Sequence, residues 1–222
     1  GYHHAAIAGE GMMVNRLTMT SYMKTLFVLV MLFTASLGFC AEGLVGSWDV
    51  ASIDGDTLVD LSGNGHDLKL HEASVEEFMG RAFLRTGPRR YASGPALGDG
   101  WQSLTLAVVF LQESDPAAWT GIACRDNYGG AAGDVFGILS DPQGNWVGRL
   151  TTTEGQAGVI APIETGWHHL ALTYDGAAVR LYLDGKLAQE KPLTGALVAE
   201  PGTPLVLGGY SNLNGWFTGG IA

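Results

Sequence analysis

The sequence predicts an all-β protein in which two antiparallel sheets pack as a sandwich. Short runs of alternating or apolar residues recur from Leu44 onward, and Gly, Asp, Asn or Pro separates them. The 222 residues include 33 glycines, and only 15% of the residues are charged. This composition suits many short strands joined by tight turns, and it argues against a helical bundle or a disordered chain.

The clearest hairpin lies in the segment GWHHLALTYDGAAVRLYLDG. Asp-Gly between alternating runs favours a two-residue type I′ turn, because that turn needs a positive φ at both of its central residues. Such a turn at Asp175-Gly176 predicts the cross-strand pairs Leu172–Val179 and His168–Leu183. One face of the hairpin is then apolar, as expected for a sheet with one face against a core.

Twelve strands follow from this spacing and turn chemistry, which is typical of an all-β sandwich. In chain order they are Leu44–Val50, Asp67–His71, Ala82–Arg85, Leu104–Gln112, Thr120–Arg125, Val135–Ser140, Trp146–Thr151, Trp167–Tyr174, Ala178–Leu183, Leu187–Lys191, Leu205–Gly209 and Trp216–Ile221. The segment Glu72–Met79 favours helix more than strand, so one or two helical turns are expected there.

Met23 opens a segment that is typical of a secretory signal. Lys24 supplies a positive charge, the apolar run Leu26–Leu37 follows, and small residues surround the end of the segment. The run is shorter than the roughly 20 residues that a membrane-spanning helix needs, so no stable span is predicted in the mature protein. Three segments result: an upstream stretch at 1–22 that is not expected to be the native start, a signal peptide at 23–41 and one domain at 42–222.

The two cysteines leave alternatives open. Cys40 is either removed with the signal peptide or retained, in which case it carries a lipid anchor or stays unmodified. Cys124 lies in a predicted strand and is interpreted as a buried free thiol, with a disulfide to a retained Cys40 as the alternative.

The net charge of −10 limits the partners. A surface of this sign repels the phosphates of nucleic acids and anionic membranes, and it suits a secreted, extracellular or periplasmic protein. One short segment is basic although the chain as a whole is acidic. Its four arginines either pair with nearby acids or face an acidic glycan. They are Arg81, Arg85, Arg89 and Arg90.

Three segments resemble one family. GWHHLALTYDGAAVRLYLDGK is similar to the hairpin of laminin-G-like domains in the concanavalin A-like lectin/glucanase superfamily. GLVGSWDV with DLSGNGHDLKL resembles the opening of these domains, and PLVLGGYSNLNGWFTGGIA resembles their close. The resemblance covers Gly43 to Ala222 and implies a jelly-roll sandwich that binds an extracellular carbohydrate or glycoconjugate.

The end of the chain differs from the family pattern. In the family, an acidic residue and a further strand follow the Gly-x-Ile segment, whereas this chain stops at Ala222. We therefore expect the domain to lack its final strand, which would expose a sheet edge, and we expect further domains in a longer chain.

The segment Asp60–Asp67, DLSGNGHD, is the candidate metal site. Its side-chain oxygens and exposed carbonyls match the oxygen ligands that calcium takes. The resemblance implies a calcium ion at the rim of the sandwich, and it transfers the ligand role to Asp60 and Asn64. The alternative is turn chemistry alone, in which Asp and Asn bind their own backbone.

Glycan binding requires flat aromatic rings with amide or carboxylate groups beside them. Tyr210–Trp216 is the best candidate because Asn212 and Asn214 lie in a predicted loop between aromatics, and Tyr128 lies in a similar loop. The predicted ligand-binding residues are Tyr128, Tyr210, Asn212, Asn214 and Trp216, with Trp119 and Trp146 as further aromatic candidates. The alternative is that Trp146 and Trp216 fill the core and the two asparagines form turns. Trp48 and Trp167 are assigned to the core.

No catalytic residue is predicted. Retaining glycosidases need two carboxylates about 5–5.5 Å apart, and no strand of this chain carries an E-x-D-x-x-E pattern that would place them. His168 and His169 are adjacent on one strand and face opposite ways, and His168 is expected among core leucines. A binding module for a glycan or glycoprotein is therefore the first hypothesis. A fragment of a polysaccharide-degrading enzyme and a purely structural or adhesion domain are the alternatives.

Overall fold

Two antiparallel sheets face each other in the computed structural model, which describes residues 43–126 and 134–222. The nine-stranded sheet has the order β1-β2-β3-β6-β15-β8-β9-β10-β11. Its strands are β1 (Ile53–Asp54), β2 (Thr57–Leu58), β3 (Leu68–His71), β6 (Tyr91–Ser93), β8 (Gly121–Arg125), β9 (Phe136–Ser140), β10 (Asn145–Thr152), β11 (Gly155–Pro162) and β15 (Val206–Leu207).

The seven-stranded sheet has the order β14-β13-β12-β7-β16-β5-β4. Its strands are β4 (Ser74–Phe78), β5 (Arg81–Thr86), β7 (Leu104–Gln112), β12 (Gly166–Tyr174), β13 (Ala178–Leu183), β14 (Lys186–Pro192) and β16 (Gly219–Ile221). The predicted all-β sandwich of two antiparallel sheets is confirmed. Among the described residues, no helix has the length and apolar character needed to cross a membrane.

One apolar core lies between the sheets. Alternate residues of each strand point inward, as the period of two in a strand requires, and β10 shows this pattern with buried Trp146 and Leu150 between half-buried neighbours. Phe110 of β7 is fully buried, and its ring lies edge-on to Trp146, with 5.2 Å between the ring centroids. Of the two open interpretations of Trp146, the core position is therefore the one observed.

The predicted register of the β12–β13 hairpin is wrong by two residues. Leu172 pairs with Leu181, and Tyr174 pairs with Val179. The carboxylate of Asp175 accepts hydrogen bonds from the backbone N–H groups of Ala177 and Ala178, at 3.0 and 2.9 Å, which widens the turn to four residues. Because the shift is an even number, each side chain keeps its predicted face.

The predicted helical turns at Glu72–Met79 are wrong, because this segment forms the edge strand β4. Glu76 accepts a 2.8 Å hydrogen bond from Arg85 across the strand pair. Both ends of the predicted segment have a positive φ, 46° at Glu72 and 53° at Met79, which is incompatible with a helix. Cross-strand pairing with β5 outweighs the helix propensity of these residues.

The predicted first strand, Leu44–Val50, is also wrong. The segment has no strand pairing and ends in a 3-10 turn at Val50–Ser52. Its backbone binds the following turn, since Ser47 donates to Asp60 at 2.9 Å and Leu61 donates to the carbonyl of Ser47 at 2.7 Å. The backbone groups that a strand would have paired with a neighbouring strand are therefore paired with this turn.

The final strand is shorter than predicted and lies inside the sheet. Gly219–Ile221 runs between β7 and β5, where Ile221 pairs with both Phe110 and Leu84. The strand therefore has neighbours on both sides and is not an edge. The further strand and further domains expected after Ala222 stay predictions.

Trp167 is not a core residue, contrary to its assignment. It lies half-buried on the outer face of the seven-stranded sheet, where the ring of Phe83 is 5.8 Å away and edge-on. Because adjacent strand residues face opposite ways, the inward position of His168 directs Trp167 outward. Trp48 is partly buried and packs against the core.

Candidate functional site

The loop at residues 210–216, named the amide loop here, follows β15 and precedes β16. Its tip is a tight turn, in which Leu213 donates its N–H to the carbonyl of Tyr210 at 2.9 Å, and Tyr210 donates to the carbonyl of Asn214 at 3.0 Å. Asn212 and Asn214 are both exposed, and Leu213 between them is 48% exposed. The backbone therefore satisfies itself and leaves the two predicted amides facing solvent.

Tyr210 forms the floor of the amide loop and has no exposed surface. It packs with Cys124 and Leu139 in a small apolar cluster on the outer face of the nine-stranded sheet. Gly215 has φ 56°, and a Cβ at this position would lie 2.2 Å from the Tyr210 ring. The ring thus supports the loop from below and does not offer a face to a ligand.

Two half-buried tryptophans flank the amide loop. The ring centroid of Trp216 lies 5.1 Å from that of Tyr91, and its ring also covers Gly209, where a Cβ would approach it to 2.8 Å. The backbone of Trp119 also lies against the loop, since its carbonyl oxygen is 2.5 Å from the Cβ position of Gly215. The side chain of Trp119 packs against the cluster of Cys124, Leu139 and Tyr210 under the loop.

A buried ion pair anchors the loop from the neighbouring strands. Arg149 donates three hydrogen bonds to the carboxylate of fully buried Asp126, at 2.9, 2.7 and 2.5 Å, and Asp134 lies 3.6 Å from the same guanidinium. Burial lowers the pKa of Arg149, but the two carboxylates outweigh this and raise it. Ser211 joins this pair to the loop through 3.0 Å hydrogen bonds with the backbone of Asp126.

The second predicted loop begins at Asp126, and its candidate residue Tyr128 lies outside the described residues. Trp119 is the aromatic neighbour that the sequence named only as a further candidate. It lies 91 residues before Tyr210, and no local pattern relates the two positions. Only the sheet topology brings them together.

The predicted calcium ligand Asp60 is surrounded by protein donors. One carboxylate oxygen accepts the N–H groups of Ser47 and Ser62, both at 2.9 Å. The other accepts the Ser62 hydroxyl at 2.7 Å and the N–H of His66 at 3.0 Å. Burial raises the pKa of Asp60, but these hydrogen bonds outweigh it and lower the pKa to about 2.

Asn64 is also used within the turn. Its amide nitrogen donates to the carbonyl oxygens of Leu44 and Val45, at 2.8 and 3.0 Å, so both oxygens already accept a hydrogen bond from the protein. No group of three or more His, Cys, Asp or Glu side chains in the described part of the chain is arranged to hold a metal ion. Asp60 and Asn64 fit the turn chemistry that was the alternative, and they fit calcium poorly.

Two members of the arginine cluster are paired with acids. Arg85 binds Glu76 at 2.8 Å and also Glu113, and Arg89 binds Glu72 at 2.7 Å. Acid pairing was one of the two interpretations left open, and it holds for these two arginines. Arg81 instead lies over the ring of Trp167, 5.2 Å from the ring centroid.

Five carboxyl groups in the described part of the chain have pKa values lowered from their ordinary range. These groups are Asp60, Glu76, Asp99, Asp175 and Asp184.

The two packed antiparallel sheets define a β-sandwich. A laminin G family model, described as concanavalin A-like lectin/glucanases superfamily, matches residues 91–222. The chain therefore belongs to the concanavalin A-like lectin/glucanase superfamily, as the resemblance of its motifs implied. Among curated protein sequences, none matches the chain significantly.

Solved structures share the fold at low sequence identity. The binding domain of Paraclostridial Mosquitocidal Protein 1 has a TM-score of 0.59 and 16% identity, over 82% of this chain and 49% of that one. Domain 4 of AbnA, an extracellular arabinanase of Geobacillus stearothermophilus solved with arabinotriose, has a TM-score of 0.53 and 15% identity, over 73% and 82%. Botulinum neurotoxin type C, described as interacting with two ganglioside molecules, has a TM-score of 0.56 and 11% identity, over 73% and 42%.

The chain thus spans about half the length of the mosquitocidal binding domain and less than half of the neurotoxin chain. At these identities the likeness shows the fold alone.

Proposed function

We propose that this protein is a secreted carbohydrate-binding module that holds a glycan at the amide loop. The observation that carries the proposal is the pair of exposed amides, Asn212 and Asn214, on a loop that ends at the half-buried indole of Trp216. The solved structures with this fold include domains described with arabinotriose or with gangliosides, which supports the ligand class.

The chemistry of the loop suits a sugar. Each asparagine offers a carbonyl acceptor and two N–H donors, and a sugar presents hydroxyls that both donate and accept. Indoles supply rigid, amphipathic contact area, which ligand sites use together with a few fixed polar groups. Tyr210 and the Asp126–Arg149 pair hold the loop from below, so little ordering cost is expected on binding.

The secreted location rests on the sequence. The apolar segment ahead of the domain is typical of a signal peptide, and the acidic surface suits an extracellular protein. Fractionation of the cells that make the protein tests this: we expect the mature chain outside the cytoplasm, beginning after residue 41. Recovery of the intact chain in the cytoplasm would contradict it.

A glycan array with the purified protein tests the ligand class, and isothermal titration with the best binder then gives Kd. We expect the double substitution Asn212→Ala with Asn214→Ala to weaken binding at least about 10-fold, because two hydrogen-bonding amides are lost. Trp216→Phe keeps an aromatic ring with less contact area and should weaken binding less.

Gln102→Ala is the matched control, since Gln102 is an exposed amide that precedes β7 and adjoins the Asp175–Ala178 turn. Its Kd should equal that of the unaltered protein. Absence of any glycan binding would overturn the function, and binding unaffected by the double substitution would overturn the site. Release of shortened sugar products would favour the enzyme alternative.

A further inference from the structure

Three polar atoms on the inward faces of the sandwich have no hydrogen-bond partner among the described residues. They are Oε1 of Gln112, Nε1 of Trp146 and Nε2 of His168. Gln112 is 1% exposed and Trp146 is fully buried, while the His168 side chain is 11% exposed. A buried polar group without a partner is destabilising, so these three atoms need a physical explanation.

Two of these side chains lie beside one ring, that of Phe110, and the third is on the same strand as Phe110. The centroid of the Phe110 ring lies 5.2 Å from the Trp146 ring and 6.0 Å from the His168 ring. His168 is the cross-strand partner of Phe110, and Gly166 is the partner of Gln112. Gln112 is two residues beyond Phe110 on β7, so its side chain has the same inward face. Trp146 belongs to the opposite sheet.

Neighbouring hydrogen bonds fix what each atom can do. Nδ1 of His168 lies 2.9 Å from the carboxylate of Asp184, so Nδ1 carries a proton, and in the neutral form of the ring Nε2 is then an acceptor. The amide nitrogen of Gln112 donates to the carbonyl of Ser114, which leaves Oε1 as an acceptor. An indole Nε1–H only donates. The cluster therefore presents two acceptors and one donor.

We propose that a single water molecule binds between the sheets at these three atoms. Water supplies two donors, for Gln112 and His168, and accepts the N–H of Trp146. This count matches the roughly three hydrogen bonds that a buried water makes in globular proteins. A ligand hydroxyl has one proton and would leave one acceptor unpaired, so water is the chemical class that fits.

The packing around Nε2 of His168 agrees with a bound water. If Gly166 carried a Cβ, Nε2 of His168 would be its one heavy-atom neighbour within 4 Å, at 3.9 Å, apart from the adjacent residues. The water links β7 and β12 of one sheet to β10 of the other. It forms a polar connection across the apolar core between the sheets.

Water-to-protein NOE measurements on the full chain with 15N-labelled tryptophan test the proposal. We expect the indole proton of Trp146 to show an NOE of the sign that marks a long-lived water, and Trp146→Phe identifies its resonance. The indole of Trp48 is the internal control, because it donates to the carbonyl of His66 at 2.9 Å and needs no water. Its proton should lack such an NOE.

Gln112→Met removes one acceptor of the water and keeps a side chain of similar length. We expect it to weaken or abolish the NOE at Trp146, while an unchanged Trp48 resonance shows that the fold is intact. Absence of the NOE in the unaltered protein overturns the proposal. An NOE that persists at full strength in folded Gln112→Met also overturns it.

Discussion

Two loops of this protein both contain Asn, Ser and Gly, but their polar side chains have different partners. In the turn at Asp60–Asp67, the Asp60 carboxylate accepts four hydrogen bonds from protein donors, and Asn64 donates to two backbone carbonyls. In the amide loop the backbone closes its own turn, and the side chains of Asn212 and Asn214 stay exposed.

The difference shows that composition alone does not separate a binding loop from a structural turn. A polar side chain is available to a ligand only when the local backbone has not already used it. The turn at Asp60 should therefore determine stability, and the amide loop should determine binding. Each of the following measurements separates these two roles.

Asp60→Ala should have the largest effect on stability. It removes a buried carboxylate and leaves the N–H groups of Ser47, Ser62 and His66 without their acceptor. We expect the free energy of unfolding to fall by about 3 kcal/mol, measured by urea denaturation. Asp56→Ala is the control, because the Asp56 side chain is 72% exposed, and it should cost less than about 0.5 kcal/mol. Equal effects at the two positions would contradict the structural role of Asp60.

Acid should weaken the same turn. The pKa of Asp60 in the folded state is about 2, below its usual value of 3.8, so its stabilisation is present above about pH 4 and is lost as the pH falls to about 2. The loss amounts to about 2 kcal/mol. The measurement is the free energy of unfolding between pH 5 and pH 2 for the unaltered protein and for Asp60→Asn. The difference in the free energy of unfolding between the two proteins should shrink as the pH falls across this range. A constant difference would exclude Asp60 as the source of the acid sensitivity.

The amide loop should contribute little to stability. Asn212→Ala with Asn214→Ala should change the free energy of unfolding by less than about 0.5 kcal/mol, because both side chains are exposed. Urea denaturation of the same variant that is used for glycan binding checks this. A loss above about 1 kcal/mol would mean that the asparagines serve the turn, as in the alternative left open by the sequence.

Calcium should have the smallest effect. A calcium ion at Asp60 would have to displace four hydrogen bonds, so we expect no change in Tm when calcium is added or chelated. Differential scanning calorimetry of the unaltered protein, with magnesium as the matched ion, makes the comparison. A rise in Tm specific to calcium that Asp60→Ala abolishes would restore the calcium prediction.

The sequence predicted strands best where alternation was regular. The bounds of β7, Leu104–Gln112, and β13, Ala178–Leu183, agree with the structure to the residue. β11, with the sequence GQAGVIAP, escaped prediction because its small residues show no clear alternation. β4 was mistaken for helix because its Glu residues are good helix formers and its pairing with β5 is not local information.

The candidate site was predictable only in its chain position. Asparagines between aromatic residues identified the loop, but the burial of Tyr210 depends on Cys124 and Leu139, which the sheet topology brings next to it. Likewise, the position of Trp119 beside Gly215 follows from the packing of two distant segments. Side-chain exposure results from tertiary contacts, so residue type and spacing could not assign it.

The position of β16 has a consequence for biosynthesis. Its partner β5 lies far upstream: the hydroxyl of Thr86 donates to the carbonyl of Gly219 across a separation of 133 residues. At about 5–20 residues per second, translation needs roughly 7–27 s to cover that interval. Throughout this time the nascent β5 has an unpaired edge beside apolar Phe83 and Leu84, which is the kind of surface that aggregates. Chaperone binding during synthesis should therefore protect this strand until its last neighbour emerges.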